Sequence, residues 1–227
     1  MWKKFCYTAG TAVIGLAVYE FWFLAQILYW VDHNPAMTRV MDARLEGSRP
    51  NQPKVLEQKW MEYERISIHL KRAIIIAEDA KFVDHEGFDW EGIQRAMDRN
   101  QRRGKFVAGG STITQQLAKN LFLSGERSLL RKGQEAILAA MLEAAMEKRR
   151  IFEIYLNVAE WGENVFGAEA AARHYFGVDA ASLEPEQAAR LAAMLPRPRY
   201  YDRNRGSPYL TSYSESILAQ MSAAQVP

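Results

Sequence analysis

Residues 7–31 form an almost unbroken run of apolar side chains near the start of the chain. A run of about 25 apolar residues is long enough to cross a hydrocarbon layer about 30 Å thick as one helix. Lys3 and Lys4 precede the run and Asp32 follows it, and positive charges normally stay on the cytoplasmic side. The run is also too long for the apolar centre of a cleaved signal peptide. The pattern therefore predicts a cytoplasmic tail over residues 1–6 and an uncleaved transmembrane anchor over residues 7–31.

Two polar residues, Glu20 and Gln26, interrupt this apolar run. An acidic residue at such a depth is energetically costly and is often paired or functional. We interpret Glu20 as a protonated side chain or as one that extends towards the membrane interface, and a paired, functional glutamate is the alternative. A buried helix of a soluble domain is the alternative interpretation of the whole run.

The remainder of the chain is dominated by helical periodicity. Residues 32–64 are predicted as a polar connection that contains three prolines. Beyond it, apolar side chains recur at helical spacing, as at Ile66, Leu70 and Ile74. Helices are predicted over residues 64–82, 89–104, 111–123, 127–146, 147–157, 167–177 and 184–198. Alternating β-branched runs are scarce and leave room for one short hairpin, so the sequence predicts a mainly α domain over residues 65–227.

Composition excludes several classes of protein. Lys and Arg total 29 and Asp and Glu total 27, for a net charge of +2, which is too balanced for a typical nucleic-acid-binding domain. The single cysteine, Cys6, excludes an internal disulfide framework. The four histidines form no pair at zinc-ligand spacing, so no metal ligands are predicted. Hydrophobic residues make up 48% of the chain, enough for a sizeable core.

Candidate chemistry begins with two carboxylates on different predicted helices. Glu78 lies near the end of a helix beside Asp79, and the apolar residues around them would desolvate the pair and raise a carboxyl pKa. Glu135 lies one helical turn after Arg131. Each carboxylate has a simpler interpretation: a solvated pair at a helix end for Glu78, and an exposed ion pair for Glu135. Spacing alone favours these simpler interpretations.

The stretch GGSTITQQLAKNLFL, residues 109–123, carries more polar groups than a helix start requires. Thr112 and Gln115 have the spacing of a capping box. Capping does not explain Gln116 and Lys119 on the same side of the helix. The alternatives are a plain cap and a polar groove for an anion that also carries sugar hydroxyls. The Walker pattern of nucleotide-binding loops is missing.

Five segments together resemble the peptidoglycan glycosyltransferase family, the enzymes that polymerise lipid II. They are EDAKFVDHEGFD at 78–89, GGSTITQQLAKNLFL at 109–123, RKGQE at 131–135, KRRIFEIYLN at 148–157 and RLAAMLPRP at 190–198. The first two are long and specific. The single anchor and the lack of a penicillin-binding SxxK, SxN and KTG set resemble the monofunctional members. Lys81 and Arg197 depart from the family pattern, away from the two glutamates.

The resemblance implies a fold and a set of site residues. The fold would be lysozyme-like, with a larger globular lobe and a smaller membrane-proximal lobe near residues 85–110. Glu78 would be the catalytic base and Glu135 the second catalytic carboxylate. The substrate-binding residues would be Lys119, Arg127, Arg95, Lys132, Ser111, Gln115, Gln116 and Phe82. No cofactor is implied as a requirement, and Mg²⁺ or Mn²⁺ on the substrate diphosphate stays open because no carboxylate cage is visible.

The implied activity is transfer of a growing MurNAc-GlcNAc chain from undecaprenyl diphosphate to the 4-hydroxyl of an acceptor GlcNAc, with inversion. The implied location is the bacterial inner membrane, with the domain on its outer side. Implied partners are lipid II, the nascent glycan strand, the membrane and other cell-wall or division proteins, and no nucleic acid. Two alternatives are kept: a lysozyme-like enzyme that cleaves peptidoglycan, and a non-catalytic anchored scaffold. The run of basic residues speaks against the first, and the presence of both glutamates speaks against the second.

Overall fold

The computed structural model describes residues 2–47, 55–104, 109–123 and 128–227. Helices account for most of these residues. The helices are α1 (Trp2–Asp32), α2 (Arg39–Glu46), α3 (Ile68–Glu78), α4 (Trp90–Arg103), α5 (Ile113–Phe122), α6 (Leu129–Ala145), α7 (Lys148–Val158), α8 (Ala168–Phe176), α9 (Pro185–Met194), α10 (Pro198–Arg203) and α11 (Pro208–Gln220). The strands are β1 (Glu57–Gln58), β2 (Glu160–Gly162) and β3 (Val165–Phe166). The mainly α prediction is confirmed.

Local capping interactions set the ends of α3, α4 and α5, which carry the first two of the five segments or lie between them. Ser67 caps the start of α3, which is shorter than predicted because Asp79 leaves the helical conformation. Gly104 adopts a left-handed conformation with a φ of 60° and ends α4 as predicted. Thr112 and Gln115 form the predicted capping box at the start of α5. These caps fix where Glu78 and Gln116 fall on their helices.

Helices α2, α10 and α11 were not predicted. Helix α2 lies within the segment expected to be a polar connection, where Thr38 accepts a hydrogen bond from the backbone amide of Met41. Helices α10 and α11 each begin at a proline, a residue that fits the first turn of a helix. Helices α2 and α10 span only 8 and 6 residues, so they are too short to show a clear amphipathic period in the sequence.

The strands form a small three-stranded sheet in the order β1-β3-β2. Strands β2 and β3 are antiparallel and form the predicted hairpin, whereas β1 pairs parallel with β3. Gly167 follows β3 with a φ of +81°, and a Cβ there would lie 2.5 Å from the backbone oxygen of Asn157. The close approach of the hairpin to α7 therefore requires glycine at this position.

The core is built by two groups of helices. Helix α3 packs against α9 and α11, and α5 packs against α6 and α7. Trp161, Tyr155, Phe82 and Phe152 are among the largest fully buried side chains. The end of α3 and the start of α5 both lie at this core, so the segments that carry Glu78 and Gln116 rest on rigid packing.

Helix α1 is long and apolar enough over Ala9–Asp32 to span a membrane by length and composition, and little of that segment is buried. Its C-terminal part contacts the rest of the protein. The ring of Phe122 packs on Phe23 and Trp30, with centroid distances of 5.2 and 5.4 Å. Glu20 accepts a hydrogen bond of 3.0 Å from the side chain of Gln134 on α6. Glu20 therefore has a polar partner on α6, which is consistent with the alternative of a paired glutamate.

Helix α4 is weakly packed. Ala96 is its only buried residue within Trp90–Arg103, while Trp90 and Met97 are 72% and 65% exposed. Asp89 caps the start of α4, because its side chain accepts a hydrogen bond from the amide of Gly92. The helix is polar and rich in arginine, and the exposed apolar side chains of Trp90 and Met97 on it are compatible with a membrane-proximal lobe.

We expect Asn157→Ala to destabilise the protein by about 2–4 kcal/mol, because it leaves buried partners unpaired. The fully buried side chain of Asn157 bonds to both the amide and the carbonyl of Met61, at 2.7 and 2.9 Å, and to the carbonyl of Glu153. Thermal or urea unfolding measures the effect. The exposed Asn204, which bonds only to a carbonyl in its own turn, provides the control Asn204→Ala. Equal stability of the two variants would contradict the role given to Asn157.

Candidate active site

Glu78 is the last residue of α3, and its carboxyl group is partly buried. One oxygen, Oε2, accepts a hydrogen bond of 2.7 Å from Nε2 of Gln116. The other oxygen, Oε1, is buried and has no hydrogen-bond partner among the described residues. Desolvation raises the pKa of Glu78, the charge of Asp79 raises it further, and the Gln116 hydrogen bond and the Lys119 charge oppose the increase. A carboxyl of raised pKa with one unengaged oxygen is suited to accepting a proton.

Asp79 joins the ends of three chain segments beside Glu78. Its carboxylate accepts hydrogen bonds from Nε2 of His85, at 2.9 and 3.1 Å, and from the backbone amide of Ile113 at 3.0 Å. Thr112 adds a hydrogen bond of 2.7 Å from its hydroxyl to the carbonyl of Gly87. These bonds hold the N-terminus of α5 against the end of α3 and thereby place Gln116 next to Glu78.

The two neighbouring glutamines of α5 have different roles. Gln115 is buried, and its side-chain oxygen accepts a hydrogen bond from the backbone amide of Thr112 as the second half of the capping box. Gln116 points to Glu78. The expectation that Gln115 lines the substrate cleft is therefore corrected: its side chain is buried and its oxygen is engaged in helix capping, whereas Gln116 faces Glu78.

Lys119 follows Gln116 by one turn of α5 and lies within electrostatic range of both candidate carboxylates. Its side chain reaches solvent, but desolvation lowers the pKa of its ammonium group, an effect that Glu135 and Glu78 oppose and Arg131 and Lys132 reinforce. The ammonium group therefore acts electrostatically on both glutamates, without a direct ion pair to either among the described residues.

Glu135 is buried on α6, with 4% of its surface exposed. It forms an ion pair with Arg131 at 3.4 Å and another with Lys132. Lys132 also donates a hydrogen bond of 3.2 Å to the hydroxyl of Ser111. The burial excludes the interpretation of Glu135 as half of an ordinary exposed ion pair, and these contacts bring the start of α6 to the start of α5.

Two cavities flank the Glu78–Gln116 pair. One, of about 270 Å³, is lined by Glu78 together with Arg95 and Ser111. The other, of about 210 Å³, is lined by Gln116 and Lys119. Each is large enough for part of a sugar or phosphate group, and the candidate base lies between them.

Three further predicted site residues are Phe82, Arg127 and Arg95. Phe82 is fully buried and packs on the ring of Phe152, with a centroid distance of 5.6 Å. We therefore correct the expectation that Phe82 contacts substrate, because its ring is part of the core beneath the loop that follows Glu78. Arg127 lies outside the described residues. Arg95 is at the mouth of the first cavity, bound to Asp89 and Glu91.

Sequence reasoning did not single out three residues that contribute to the site. They are Asp79 as a link between segments, Tyr155 as a hydrogen-bond partner of Gln116, and Tyr213, whose hydroxyl donates to the carbonyl of Ala77 at 3.1 Å. Tyr155 belongs to the segment KRRIFEIYLN, whose periodicity reads as core packing alone. In the parts of the chain that the structure describes, no group of three or more His, Cys, Asp and Glu side chains could hold a metal ion.

A helical domain that places a carboxyl of raised pKa beside a cation-lined cleft has the construction of a group-transfer enzyme for anionic substrates. Residues 47–222 match the family model described as Transglycosylase. Three similar curated proteins are named biosynthetic peptidoglycan transglycosylase. The protein of Dechloromonas aromatica is 62% identical over 95% of this chain and 94% of its own length. Those of Methylobacillus flagellatus and Azoarcus sp. are 58% and 54% identical, over 95% and 100% of this chain and 95% and 98% of their own lengths.

The chain belongs to the transglycosylase family. It is an enzyme of the glycosyltransferase class, with the lysozyme-like fold that the five segments imply. The resemblance stated from the sequence is thereby confirmed.

Replacing the buried carboxyl of Glu78 by an amide should stabilise the protein at high pH. The folded-state pKa is raised, so stability falls as pH rises from about 4.3, the unfolded value, through the folded pKa. We expect Glu78→Gln to raise the Tm at pH 8 by about 2–4 °C and to have no effect near pH 4. Glu186→Gln, at an exposed position of α9, should change neither value. A Tm at pH 8 equal to or below that of the wild type would contradict this assignment.

Proposed function

We propose that this protein polymerises lipid II into linear glycan strands, with Glu78 as the base and Glu135 as the second catalytic carboxylate. The observation that carries the proposal is the placement of Glu78 from α3 and Glu135 from α6 around Ser111: Ser111 lines the same cavity as Glu78, and it accepts a hydrogen bond from Lys132, which pairs with Glu135. The relatives named biosynthetic peptidoglycan transglycosylase support the substrate class.

The reaction follows from the environment of Glu78. The ionised carboxylate accepts the proton of the acceptor sugar's 4-hydroxyl as the oxygen attacks C1 of the donor MurNAc. The C1–oxygen bond to undecaprenyl diphosphate breaks, and the diphosphate leaves with the bonding electrons. Attack on the face opposite the leaving group inverts the configuration at C1. The raised pKa of Glu78 makes its carboxylate a stronger base than an exposed glutamate.

The basic residues stabilise the leaving group. Negative charge develops on the diphosphate as the C1–oxygen bond breaks, and fixed cations favour that charge over the ground state. Lys119, Arg131 and Lys132 are cations near Glu135 among the described residues. Lys119 and Lys132, with Arg127 and Arg95, form the proposed substrate-binding set. Glu135 holds Lys132 and Arg131 in place through its buried carboxylate. Ser111 and Gln116 supply neutral hydrogen-bonding groups to the same cleft.

The membrane arrangement is part of the same proposal. A substrate linked to a C55 lipid requires an enzyme held at the bilayer. The apolar helix over Ala9–Asp32 supports an anchor over residues 7–31, with residues 1–6 in the cytoplasm. Residues 32–64 would connect it to the catalytic domain, residues 65–227, which would lie on the outer side of the inner membrane. The exposed Trp90 on α4 suits a lobe next to lipid.

Cleavage of peptidoglycan by a lysozyme-like mechanism is the less favoured alternative. Such an enzyme also uses a glutamate of raised pKa, but its polymeric sugar substrate carries no diphosphate. The concentration of Lys119, Lys132 and Arg131 around a second carboxylate has no purpose in that reaction.

We expect Glu78→Gln to lower the rate of lipid II polymerisation by at least about 10²–10⁴-fold, the usual contribution of a positioned base. Purified protein in detergent, incubated with lipid II and resolved on a gel, measures the product. Glu186→Gln should polymerise at the wild-type rate. Wild-type turnover in Glu78→Gln, with a normal unfolding transition, would rule out Glu78 as the base.

The rate should also depend on pH through the raised pKa of Glu78. Activity requires the ionised carboxylate, so we expect turnover to fall on acidification at a pH above the ordinary glutamate value of about 4.3. In Lys119→Met the acidic limb should move to still higher pH, because a cation that favours the ionised form has been removed. Initial rates between pH 5 and pH 9 measure the acidic limb of the wild type and that of Lys119→Met. A limb in Lys119→Met that stays in place or moves to lower pH would contradict the electrostatic link.

A further inference from the structure

We propose that Tyr155 is a positioning residue, whose hydroxyl holds the amide of Gln116 with its NH₂ group towards Glu78. The inference rests on the proposed role of Glu78 as the base. It gives a function to the segment KRRIFEIYLN, which the reaction outlined above leaves unused.

Three side chains from three helices form a continuous hydrogen-bonded series. The hydroxyl of Tyr155 donates to Oε1 of Gln116 at 3.1 Å, and Nε2 of Gln116 donates to Oε2 of Glu78 at 2.7 Å. The two ends of an amide are chemically opposite, since one only accepts and the other only donates. A rotated amide would bring its oxygen against the Glu78 carboxylate and leave the tyrosine hydroxyl facing an NH₂ group. The tyrosine hydroxyl could also accept from an NH₂ group, but the carboxylate of Glu78 only accepts, so the arrangement in which Tyr155 donates to Gln116 is the one that supports an ionised Glu78.

Tyr155 is well suited to this role because its side chain is buried and its hydroxyl keeps its proton. Its side chain is 1% exposed, in the part of α7 that packs against α5. Burial and the negative charges of Glu78 and Asp79 raise the pKa of its phenol well above the usual value. The hydroxyl thus keeps its proton throughout the pH range in which the enzyme would work.

The other polar and titratable groups that act on Glu78 come from α3, α5 and α11. Asp79 adjoins it at the end of α3, Gln116 and Lys119 face it from α5, and Tyr213 approaches from α11. Tyr213 donates its hydroxyl to a backbone carbonyl. Among the described residues, Gln116 is the hydrogen-bond donor recorded for the Glu78 carboxyl, so its orientation has a direct effect on ionisation.

Loss of the Tyr155 hydroxyl should therefore impair the base most at low pH. In Tyr155→Phe the ring still fills the core, but nothing fixes the amide of Gln116. Without a reliable donor the carboxylate form of Glu78 is less favoured. Turnover should fall about tenfold on the acidic limb of the wild-type profile and less than about threefold on its plateau, where the base is ionised in both proteins. The acidic limb should move to higher pH, and KM for lipid II should change little.

The experiment compares pH–rate profiles of lipid II polymerisation for wild type, Tyr155→Phe and Tyr175→Phe. Tyr175 is a matched control, since its hydroxyl donates to the carbonyl of Trp161 at 2.8 Å and it lines neither cavity. A general loss of packing would lower both profiles uniformly. Only loss of the hydroxyl on Tyr155 should move the acidic limb.

A double-mutant comparison separates positioning from packing. Gln116→Met keeps the length of the side chain and removes both hydrogen bonds. If Tyr155 acts through Gln116, adding Tyr155→Phe to Gln116→Met should change the rate less than about twofold, because interacting residues are non-additive. Tyr155→4-aminophenylalanine, which restores a donor on the ring, should recover the wild-type acidic limb. This variant also keeps the test decisive if Tyr155→Phe folds poorly.

The outcomes distinguish this inference from the proposed function. An unmoved acidic limb in Tyr155→Phe, or additive losses in the double variant, would overturn the positioning role while an inactive Glu78→Gln still upheld the function. Full activity of Glu78→Gln would instead show that Glu78 is not the base, and it would contradict the proposed function. A moved limb, non-additive losses and recovery with the amine would together establish the series from Tyr155 to Glu78.

Discussion

The structure depends above all on holding the carboxyl of Glu78 at the end of a helix with little solvent and one hydrogen-bond donor. Burial disfavours the ionised form, and an acidic residue at a helix C-terminus also opposes the helix dipole. Both effects cost stability, so the surrounding fold must supply it. The packing of α3 against α9 and α11, and of α5 against α6 and α7, provides that support. The adjacent carboxylate, Asp79, is fully bonded and contributes structure, whereas Glu78 keeps one oxygen unengaged.

The two candidate carboxylates differ because their surroundings differ. Glu135 is as buried as a core residue, but Arg131 and Lys132 neutralise it directly. Glu78 has no ion pair at such a distance in the described residues, and Lys119 acts on it more weakly than desolvation does. Glu135 is thereby paired with two cations, whereas burial raises the pKa of Glu78 and one of its oxygens stays unengaged. Two acids placed in different surroundings at one site are a common basis of acid–base chemistry in enzymes.

Much of this arrangement could be predicted from the sequence. The capping residues Thr112 and Gly104 marked helix ends correctly, because capping is a local interaction. The five segments identified the family. The different positions of Gln115 and Gln116 were not predictable, since both fit a polar face of the helix. Only the folded helix shows that Gln115 is the one that takes part in the capping box. Phe82 was misjudged for a similar reason: an aromatic beside a base can face the cleft or the core, and tertiary packing chose the core. Long-range partners such as Tyr155 leave no periodic signal.

The apolar helix α1 is joined to the helices that form the site, and this has a consequence for how the enzyme would meet its substrate. Phe23 and Trp30 pack on Phe122 at the end of α5, and Glu20 bonds to Gln134, the neighbour of Glu135 on α6. An anchor attached only through a loose connection would let the cleft rotate freely above the bilayer. Contacts to both α5 and α6 instead fix the cleft relative to the anchor. Because a lipid-linked diphosphate emerges at a defined height from the membrane, a fixed cleft reduces the orientational freedom that must be lost when it binds.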